Sequence, residues 1–282
     1  MTWHRIVPAI LICFSSLSYI LNDAMTKLLI DRYHVSSIIL LRSLIALPVL
    51  YLIHTCTTKQ KSIRTKRIDV HALRGVIGLT AAFFYIRSLE SLTVSEATVI
   101  LFLSPIMISC IAWGVLKEKI GLSTWAAVLL CFGGVVVAIQ PGTTGFKPAM
   151  LFVAAASLLY AINAVCSRHI PPEDNIWSIA FYGAGFSALL IMPIALWHWT
   201  PVAPSDALFF CAAACFSSLA LGLSAVAYRM ASPSFLAPFA YSSLPWSMVV
   251  TWVVWQIIPS TEALIGATII LASTTLTVRR SK

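Results

Sequence analysis

Three charged side chains lie within long apolar segments of this chain, where a charge needs a partner or a ligand. They are Asp23, Arg42 and Arg87, and a charge at the centre of a membrane-spanning helix costs at least about 2.5 to 3.5 kcal/mol. Asp23 suits a cationic group of a solute, a coupling proton, or an ion pair with Arg42 or Arg87. Either arginine suits a carboxylate or phosphate; the alternative for Arg42 is that its side chain reaches the membrane surface.

Two asparagines occur at matching places in the two halves of the chain. The segment around Asn22 recurs 141 residues later, and the matched pairs are Tyr19 and Tyr160, Asn22 and Asn163, Thr26 and Ser167, and Lys27 and Arg168. An asparagine inside a membrane helix commonly bonds to a neighbouring helix, so each amide is either a helix contact or a contact to substrate or gate. Arg87 and Glu90, one helical turn apart, are expected to pair within their own helix.

Aromatic residues and prolines complete the candidate site. Trp246 follows Pro245 in mid-span, away from the aromatic belts at the membrane surfaces, so it is either a packing residue or part of a cavity wall. Pro105 and Pro245 each remove a backbone hydrogen bond and are expected to kink their helices, as hinges or as static bends. We predict one central cavity with these substrate-binding residues: Asn22, Asp23, Arg42, Tyr85, Phe102, Asn163, Tyr241 and Trp246.

The elements that position these residues are membrane-spanning helices. Hydrophobic residues make up 59% of the 282 residues and charged residues only 10%, against about 25% charged residues in ordinary soluble domains. A spanning helix needs about 20 mostly apolar residues, and polar residues, proline and glycine divide the chain into such segments. The sequence predicts ten spans, at roughly 6 to 29, 35 to 54, 71 to 90, 95 to 116, 122 to 140, 148 to 168, 177 to 199, 205 to 228, 234 to 257 and 261 to 278.

The basic residues indicate which side each connector faces. The net charge is +9, but the basic residues lie in short connectors rather than on one amphipathic face, so nucleic acid is not an expected partner. Their densest cluster is Lys59, Lys61, Arg64, Lys66 and Arg67. Because positively charged loops stay in the cytoplasm, this connector and both termini of a multi-pass inner-membrane protein are predicted to be cytoplasmic. Of the 19 basic residues, 14 then lie on that side.

The offset of half the chain length indicates a duplication. Pro105 and Pro245 repeat at an offset of 140, in spans four and nine. Five spans per half is an odd number, so the halves, residues 1–141 and 142–282, are predicted to enter the membrane from opposite sides. Such repeats are common in secondary transporters, which bind substrate near the midplane between the halves. The predicted fold is an all-α membrane protein with ten transmembrane helices in two inverted five-helix repeats.

Motifs for enzymatic chemistry are absent from the sequence. It contains no HExxH, GxSxG or GxxxxGK pattern and no acidic metal cluster. The seven cysteines lie mostly within apolar segments without CxxC spacing, and we interpret them as free thiols. No cofactor, metal site or catalytic residue is predicted. A membrane-embedded enzyme or a non-transporting scaffold is the remote alternative.

With these features the sequence resembles the drug/metabolite transporter superfamily, specifically its ten-helix EamA group. The motifs that carry the resemblance are Asn22-Asp23 with Lys27, Arg42, Leu73-Arg74-Gly75, Glu96-Ala97-Thr98 through Pro105, Lys117-Glu118-Lys119, and Ala237-Pro238. Within the group, the pattern Asn22-Asp23, Leu73-Arg74-Gly75 and Ala237-Pro238-Phe239 looks most like S-adenosylmethionine uptake carriers of intracellular bacteria. The group also contains amino-acid exporters and riboflavin carriers.

The resemblance implies a secondary transporter that works by alternating access around a central cavity. That cavity would lie between spans one to four and six to nine, with spans five and ten at the periphery. The expected substrate is a small polar or amphipathic metabolite, either S-adenosylmethionine or an amino-acid-like solute. The alternative is an exporter of amino acids or small amphipathic compounds. The expected partners are the small-molecule substrate, the lipid bilayer, and a coupling proton or a counter-substrate.

Overall fold

The computed structural model describes residues 3–57, 63–115, 117, 122–140, 145–171, 173–230, 236 and 239–280. Within these ranges all regular structure is helical, as the sequence predicts. The helices are α1 (Trp3–Ile30), α2 (Val35–Thr57), α3 (Ile68–Ser88), α4 (Val94–Leu101), α5 (Leu103–Gly114), α6 (Leu122–Ile139), α7 (Ala149–Cys166), α8 (Ile176–Trp197), α9 (Pro204–Met230), α10 (Ser243–Trp255) and α11 (Thr261–Arg280). A short 3-10 helix, Ser167–His169, follows α7.

Seven helical segments of the described chain are long and apolar enough to cross a membrane. They are Ile6–Ile30, Val35–Cys56, Ile68–Ser88, Val94–Ile111, Ala149–Cys166, Ile176–Trp197 and Pro204–Ala227. These segments correspond to predicted spans one to four and six to eight. Predicted span five corresponds to α6, and spans nine and ten correspond to the shorter apolar helices Ser243–Trp255 and Thr261–Ala272. The all-helical class is therefore confirmed, whereas the count of ten spans stays a prediction.

The long helices form one bundle around a central space. Helix α1 runs along α9, α2 runs along α8, and α3 contacts both α7 and α8. Helices α6 and α11 form a further pair, which contacts the bundle mainly through α4 and α5. This pair approaches closely because two glycines face each other: a Cβ at Gly266 would lie 2.5 Å from the carbonyl oxygen of Gly134. Small residues commonly permit such close contact between membrane helices.

Side-chain hydrogen bonds fix where two of the helices begin. The Thr93 hydroxyl accepts a hydrogen bond from the backbone N–H of Glu96, and the Glu96 carboxylate accepts one from the backbone N–H of Thr93 at 2.7 Å. This reciprocal arrangement is a capping box at the start of α4. The same carboxylate forms an ion pair with Lys147, whose Nζ lies 2.8 Å from Glu96 Oε1. Asn175 caps α8 by accepting hydrogen bonds from two backbone N–H groups of its first turn.

Predicted spans four and nine are both interrupted just before a proline. Phe102 separates α4 from α5, and α10 begins after a turn at Tyr241 and Ser242. Pro105 and Pro245 therefore lie in the first turn of a new helix, where a missing N–H removes no helical hydrogen bond. The structure thus has a break where we expected a kink within a continuous helix. The role of the two prolines as hinges stays a prediction.

Candidate functional site

A cavity of about 790 Å³ lies in the middle of the bundle. Its wall is formed by α1, α2, α3, α7, α8 and α9, together with residues beside the breaks that precede α5 and α10. Along α3 it extends from His71 in the first turn to Ile86 in the last turn, which is about 22 Å at 1.5 Å per residue. Hydroxyl, amide and charged side chains interrupt a mainly apolar wall, so the cavity suits an amphipathic solute.

Asp23 and Arg42 lie at the end of the cavity that is next to the last turn of α3. The Tyr85 hydroxyl donates to Asp23 Oδ2 at 2.8 Å, and the Asn22 amide donates to Asp23 Oδ1 at 2.9 Å. Arg42 Nη1 donates to Asn22 Oδ1 at 3.5 Å. One amide group therefore stands between the carboxylate and the guanidinium.

Other charged residues near this end bond to nearby protein groups. Arg87 pairs with Glu90 in its own region of the chain, as predicted, so it is not the partner of Asp23. Lys27 Nζ donates to the backbone carbonyls of Leu89 and Leu92 at 2.5 and 2.6 Å, which ties α1 to the connector after α3.

The second asparagine of the predicted repeat also holds an arginine. Arg74 Nε donates to Asn163 Oδ1 at 2.9 Å, and Asn163 Nδ2 donates back to the Arg74 backbone carbonyl at 3.4 Å. Gly78 makes room for this amide, because a Cβ there would lie 2.9 Å from Asn163 Nδ2. Asn22 and Asn163 each make a helix contact, and both also line the cavity. Their contact to a substrate or gate stays a prediction.

The structure brings most of the predicted binding residues to one cavity. The residues on its wall are Asn22, Asp23, Arg42, Tyr85, Phe102 and Asn163. Tyr241, which was predicted to line the cavity, is not among the residues on its wall. Its ring centroid lies 5.2 Å from that of Phe102, so residues at the two helix breaks are in contact. Trp246 packs instead against an apolar cluster that includes Ile20 of α1. Because α10 starts only at Ser243, Trp246 lies in its first turn and faces α1 rather than the cavity.

A polar cluster around Asp206 joins the α1–α2 connector to the start of α9. Arg32 Nη1 lies 2.8 Å from Asp206 Oδ1, and the Tyr33 hydroxyl donates to Asp206 Oδ2 at 2.9 Å. The backbone N–H of Ala203 donates in turn to the Tyr33 oxygen at 3.0 Å. We name Arg32, Tyr33 and Asp206 the Asp206 cluster. It lies at the end of the bundle where α1 ends and α2 begins.

A second polar cluster lies at the opposite end of α3. The Thr65 hydroxyl donates to Asp174 Oδ2 at 2.6 Å, and His71 Nε2 lies 2.9 Å from the same oxygen. The side chains of His71 and Asp174 are 1% and 6% exposed, and the His71 ring contacts the Tyr182 ring at 4.8 Å between centroids. We name Thr65, His71 and Asp174 the Asp174 cluster. It joins the connector before α3 to the connector before α8, and its histidine lines the cavity.

Sequence reasoning missed several polar residues of this region. Arg74 was assigned to the Leu73-Arg74-Gly75 motif and to the cytoplasmic charges but not to the binding residues, although it lies in the second turn of a spanning helix. His71, Asp174 and Asp206 were not considered. Their position in the sequence could have identified them, because each lies within or next to an apolar segment, where an ionisable group needs a partner.

Some predicted features lie outside the described residues. These are Lys59 and Lys61 of the basic connector, Glu118 and Lys119, and the Ala237-Pro238 motif. Among the residues that the structure describes, no group of three or more His, Cys, Asp or Glu side chains could hold a metal ion.

Two histidines stack outside the spanning segments. The His34 and His198 ring centroids are 4.2 Å apart with an angle of 11° between the rings. Burial lowers the pKa of His34, and the facing His198 ring lowers that pKa further, followed by Arg87. Glu90 acts in the opposite direction.

The family and the relatives that this chain resembles all carry transporter names. The sequence profile of the EamA-like transporter family matches residues 7–140 and again residues 147–279. An S-adenosylmethionine uptake transporter of Rickettsia prowazekii is 27% identical, over 93% of this chain and 90% of that protein. A protein of the same name from Rickettsia bellii is 29% identical, over 90% and 87%. A riboflavin transporter of Vibrio cholerae is 26% identical, over 76% and 72%.

A known crystal structure resembles the whole chain. Its TM-score is 0.67, and the likeness covers 97% of this chain and 98% of that chain at 18% sequence identity. At that identity the likeness shows the fold alone.

Proposed function

We propose that this chain, which belongs to the EamA-like transporter family, is a secondary transporter that moves a small polar or amphipathic metabolite by alternating access. The observation that carries this proposal is the central cavity, where the side chains of Asp23, Arg42 and Asn163 face one space inside an apolar helical bundle. Polar groups at membrane depth must find water, a partner or a ligand. A solute bound in the cavity would be the ligand of these polar groups.

The proposed substrate is S-adenosylmethionine or an amino-acid-like solute. The relatives that carry the name S-adenosylmethionine uptake transporter match 93% and 90% of this chain, and the relative named riboflavin transporter matches 76%. A volume of about 790 Å³ lies within the range of about 300 to 1,000 Å³ that is usual for drug-sized ligands. Uptake into the cell is the direction that the first two names support.

The proposed architecture is ten spans in two inverted halves, residues 1–141 and 142–282. The family profile matches the chain twice, once in each half. The helix contacts also exchange between the halves: α1 on α9 is matched by α7 on α3, and α3 on α8 is matched by α9 on α2. A two-fold axis in the membrane plane produces this kind of exchange.

The proposed location is the cell inner membrane, with both termini and the connector between α2 and α3 in the cytoplasm. This orientation rests on the distribution of lysine and arginine. A cysteine at Lys61, on a thiol-free background, should stay unreactive toward an impermeant reagent in intact cells. Labelling of that cysteine from outside would reverse the orientation.

Uptake into proteoliposomes tests the function directly. Liposomes that contain only this protein should accumulate radiolabelled S-adenosylmethionine, and Asp23→Asn should reduce that uptake at least about tenfold with little change in melting temperature. Arg87→Gln is the matched control, because Arg87 is 48% exposed and pairs with Glu90 outside the cavity. Normal uptake by a well-folded Asp23→Asn protein would show that this carboxylate is not required.

The source of energy is tested in the same vesicles. A coupling proton predicts that an imposed pH gradient drives accumulation, whereas a counter-substrate predicts that preloaded solute accelerates uptake. Failure of S-adenosylmethionine, amino acids and riboflavin to move under any of these conditions would refute the transport function.

A further inference from the structure

We infer that the cavity recognises an elongated solute that carries an α-amino-acid group at one end, held by Asp23 and Arg42, and hydrogen-bond acceptors at the other end, held by Arg74. This inference rests on the proposed transport function and specifies the substrate class of the same cavity. It depends on the two arginine–asparagine contacts that face this space.

Asp23 and Arg42 are held beside the same amide without forming an ion pair with each other. Asn22 accepts from Arg42 Nη1 at 3.5 Å and donates to Asp23 Oδ1 at 2.9 Å. Among the described residues, the other hydrogen bond to the Asp23 carboxylate comes from Tyr85. A carboxylate has about four lone-pair sites, so about two remain for an ammonium group.

Arg42 retains most of its hydrogen-bond donors. A guanidinium has five N–H donors, and within the described part of the chain Arg42 uses one of them, in the 3.5 Å contact to Asn22. The others match the two oxygens of a carboxylate. An α-amino acid carries its ammonium and carboxylate groups on one carbon atom. Adjacent Asp23 and Arg42 therefore fit both groups of such a ligand at once.

Arg74 offers a second set of donors nearer the start of α3. Its Nε donates to Asn163 Oδ1, and in the described structure this leaves its two Nη groups for a ligand. Arg74 and Tyr85, which contacts Asp23, are 11 residues apart on α3, or about 16 Å along the helix axis. A free amino acid is too short to reach both places, whereas a nucleoside joined to an amino acid is long enough.

The remaining wall fits the same class of solute. Phe102 and Tyr160 line the cavity, and aromatic faces stack on flat rings and attract cations. A purely cationic solute such as a polyamine would meet the two guanidinium groups of Arg42 and Arg74, and like charges repel at short range. The site therefore selects a ligand of mixed charge with a flat or apolar body.

Calorimetric titration of the full-length protein in detergent tests the two ends separately. The ligands are S-adenosylmethionine, methionine, which has the amino-acid end alone, and 5′-methylthioadenosine, which lacks that end. We expect S-adenosylmethionine to bind at least about tenfold more tightly than either fragment.

The variants separate the two ends of the cavity. Arg42→Gln and Asp23→Asn should each weaken binding of S-adenosylmethionine at least about tenfold and should change binding of 5′-methylthioadenosine less than about twofold. Arg74→Gln should weaken both nucleoside ligands, and Arg87→Gln neither.

Two outcomes are decisive. Equal losses for S-adenosylmethionine and 5′-methylthioadenosine in Arg42→Gln would overturn the inference, and so would failure of all three ligands to bind the wild-type protein. In the second case, riboflavin uptake by proteoliposomes made from the same protein would leave the transport function standing. If the melting temperature shows that Arg42→Gln misfolds, Arg42→Lys replaces it. Lysine keeps the charge but lacks the planar guanidinium group that binds a carboxylate through two hydrogen bonds. We therefore expect Arg42→Lys to weaken S-adenosylmethionine but not 5′-methylthioadenosine.

Discussion

The Asp206 cluster and the Asp174 cluster lie at opposite ends of the bundle and contain similar contacts. In each, a hydroxyl group from one connector donates to a carboxylate from another: Tyr33 to Asp206, and Thr65 to Asp174. Tyr33 and Asp174 are 141 positions apart, and so are Thr65 and Asp206. The two contacts therefore occupy matching positions of the predicted repeat, with donor and acceptor exchanged.

The difference between the clusters lies in the nitrogen-bearing side chain that contacts each carboxylate. Arg32 of the Asp206 cluster is 64% exposed, whereas His71 of the Asp174 cluster is 1% exposed and also lines the cavity. Arg32 and His71 do not occupy matching positions of the predicted repeat, so the repeat accounts only for the hydroxyl–carboxylate contacts. The Asp174 cluster is the one that connects an end of the bundle directly to the central cavity.

Removal of the carboxylates should give the largest difference in stability between the Asp174 cluster and the Asp206 cluster. Asp174→Ala leaves the buried His71 and the Thr65 hydroxyl without their acceptor, at an expected cost of about 2 to 4 kcal/mol in the free energy of unfolding. Asp206→Ala should cost less, because Arg32 already reaches solvent. Melting temperatures of the two variants in one detergent measure the difference. A larger loss for Asp206→Ala would invert the comparison.

A second comparison is between two glycines that line the cavity, Gly78 and Gly183. Gly78→Ala should displace the Asn163 amide, since the new Cβ would lie 2.9 Å from Nδ2, and should cost about 1 to 3 kcal/mol. Gly183→Ala is the matched control: Gly183 lines the same cavity, and a Cβ there meets nothing within 4 Å. Equal melting temperatures for the two variants would show that Asn163 moves without cost.

Removal of the hydroxyl groups isolates the contact that the clusters share. Tyr33→Phe and Thr65→Val should each cost about 0.5 to 1.5 kcal/mol in the free energy of unfolding, with the larger loss at Tyr33, whose hydrogen bond is buried. Denaturant titration of both variants against wild type measures these losses. No loss at either position would mean that the matching contacts do not contribute to stability.

The smallest effect should come from the stacked histidines near the Asp206 cluster. Because the pKa of His34 is lowered from 6.5 in the folded protein, protonation favours the unfolded chain. This destabilisation is absent above about pH 6.5 and grows as the pH falls below that value. His198→Gln removes one facing ring, while Arg87 and Glu90 remain, so it should reduce the fall in melting temperature between pH 7.5 and 5.5. An unchanged or steeper fall would contradict this account.

Sequence reasoning located most helices because apolar length identifies a spanning segment. Predicted spans at 35 to 54 and 177 to 199 match Val35–Thr57 and Ile176–Trp197 closely, and the family resemblance is confirmed. The breaks at Phe102 and before α10 were not predicted. Proline limits the backbone of its own turn, but whether a helix bends or restarts depends on contacts between distant segments.

The candidate site was predictable where a polar residue stands alone in an apolar segment. Asn22, Asp23 and Arg42 carry that signal, and the structure places them on one cavity. Trp246 does not carry it, because an aromatic residue suits lipid, core and cavity alike. The His71–Asp174 pair joins residues that are 103 positions apart, and a single sequence gives no measure of such proximity.

The close approach of Gly134 in α6 and Gly266 in α11 has a consequence for biosynthesis. These glycines are 132 residues apart in the chain, so at about 5 to 20 residues per second α6 is made roughly 7 to 26 seconds before its partner. During that interval the glycine face of α6 meets lipid or the insertion machinery instead of α11. Insertion of the last helix is therefore the step that completes this pair.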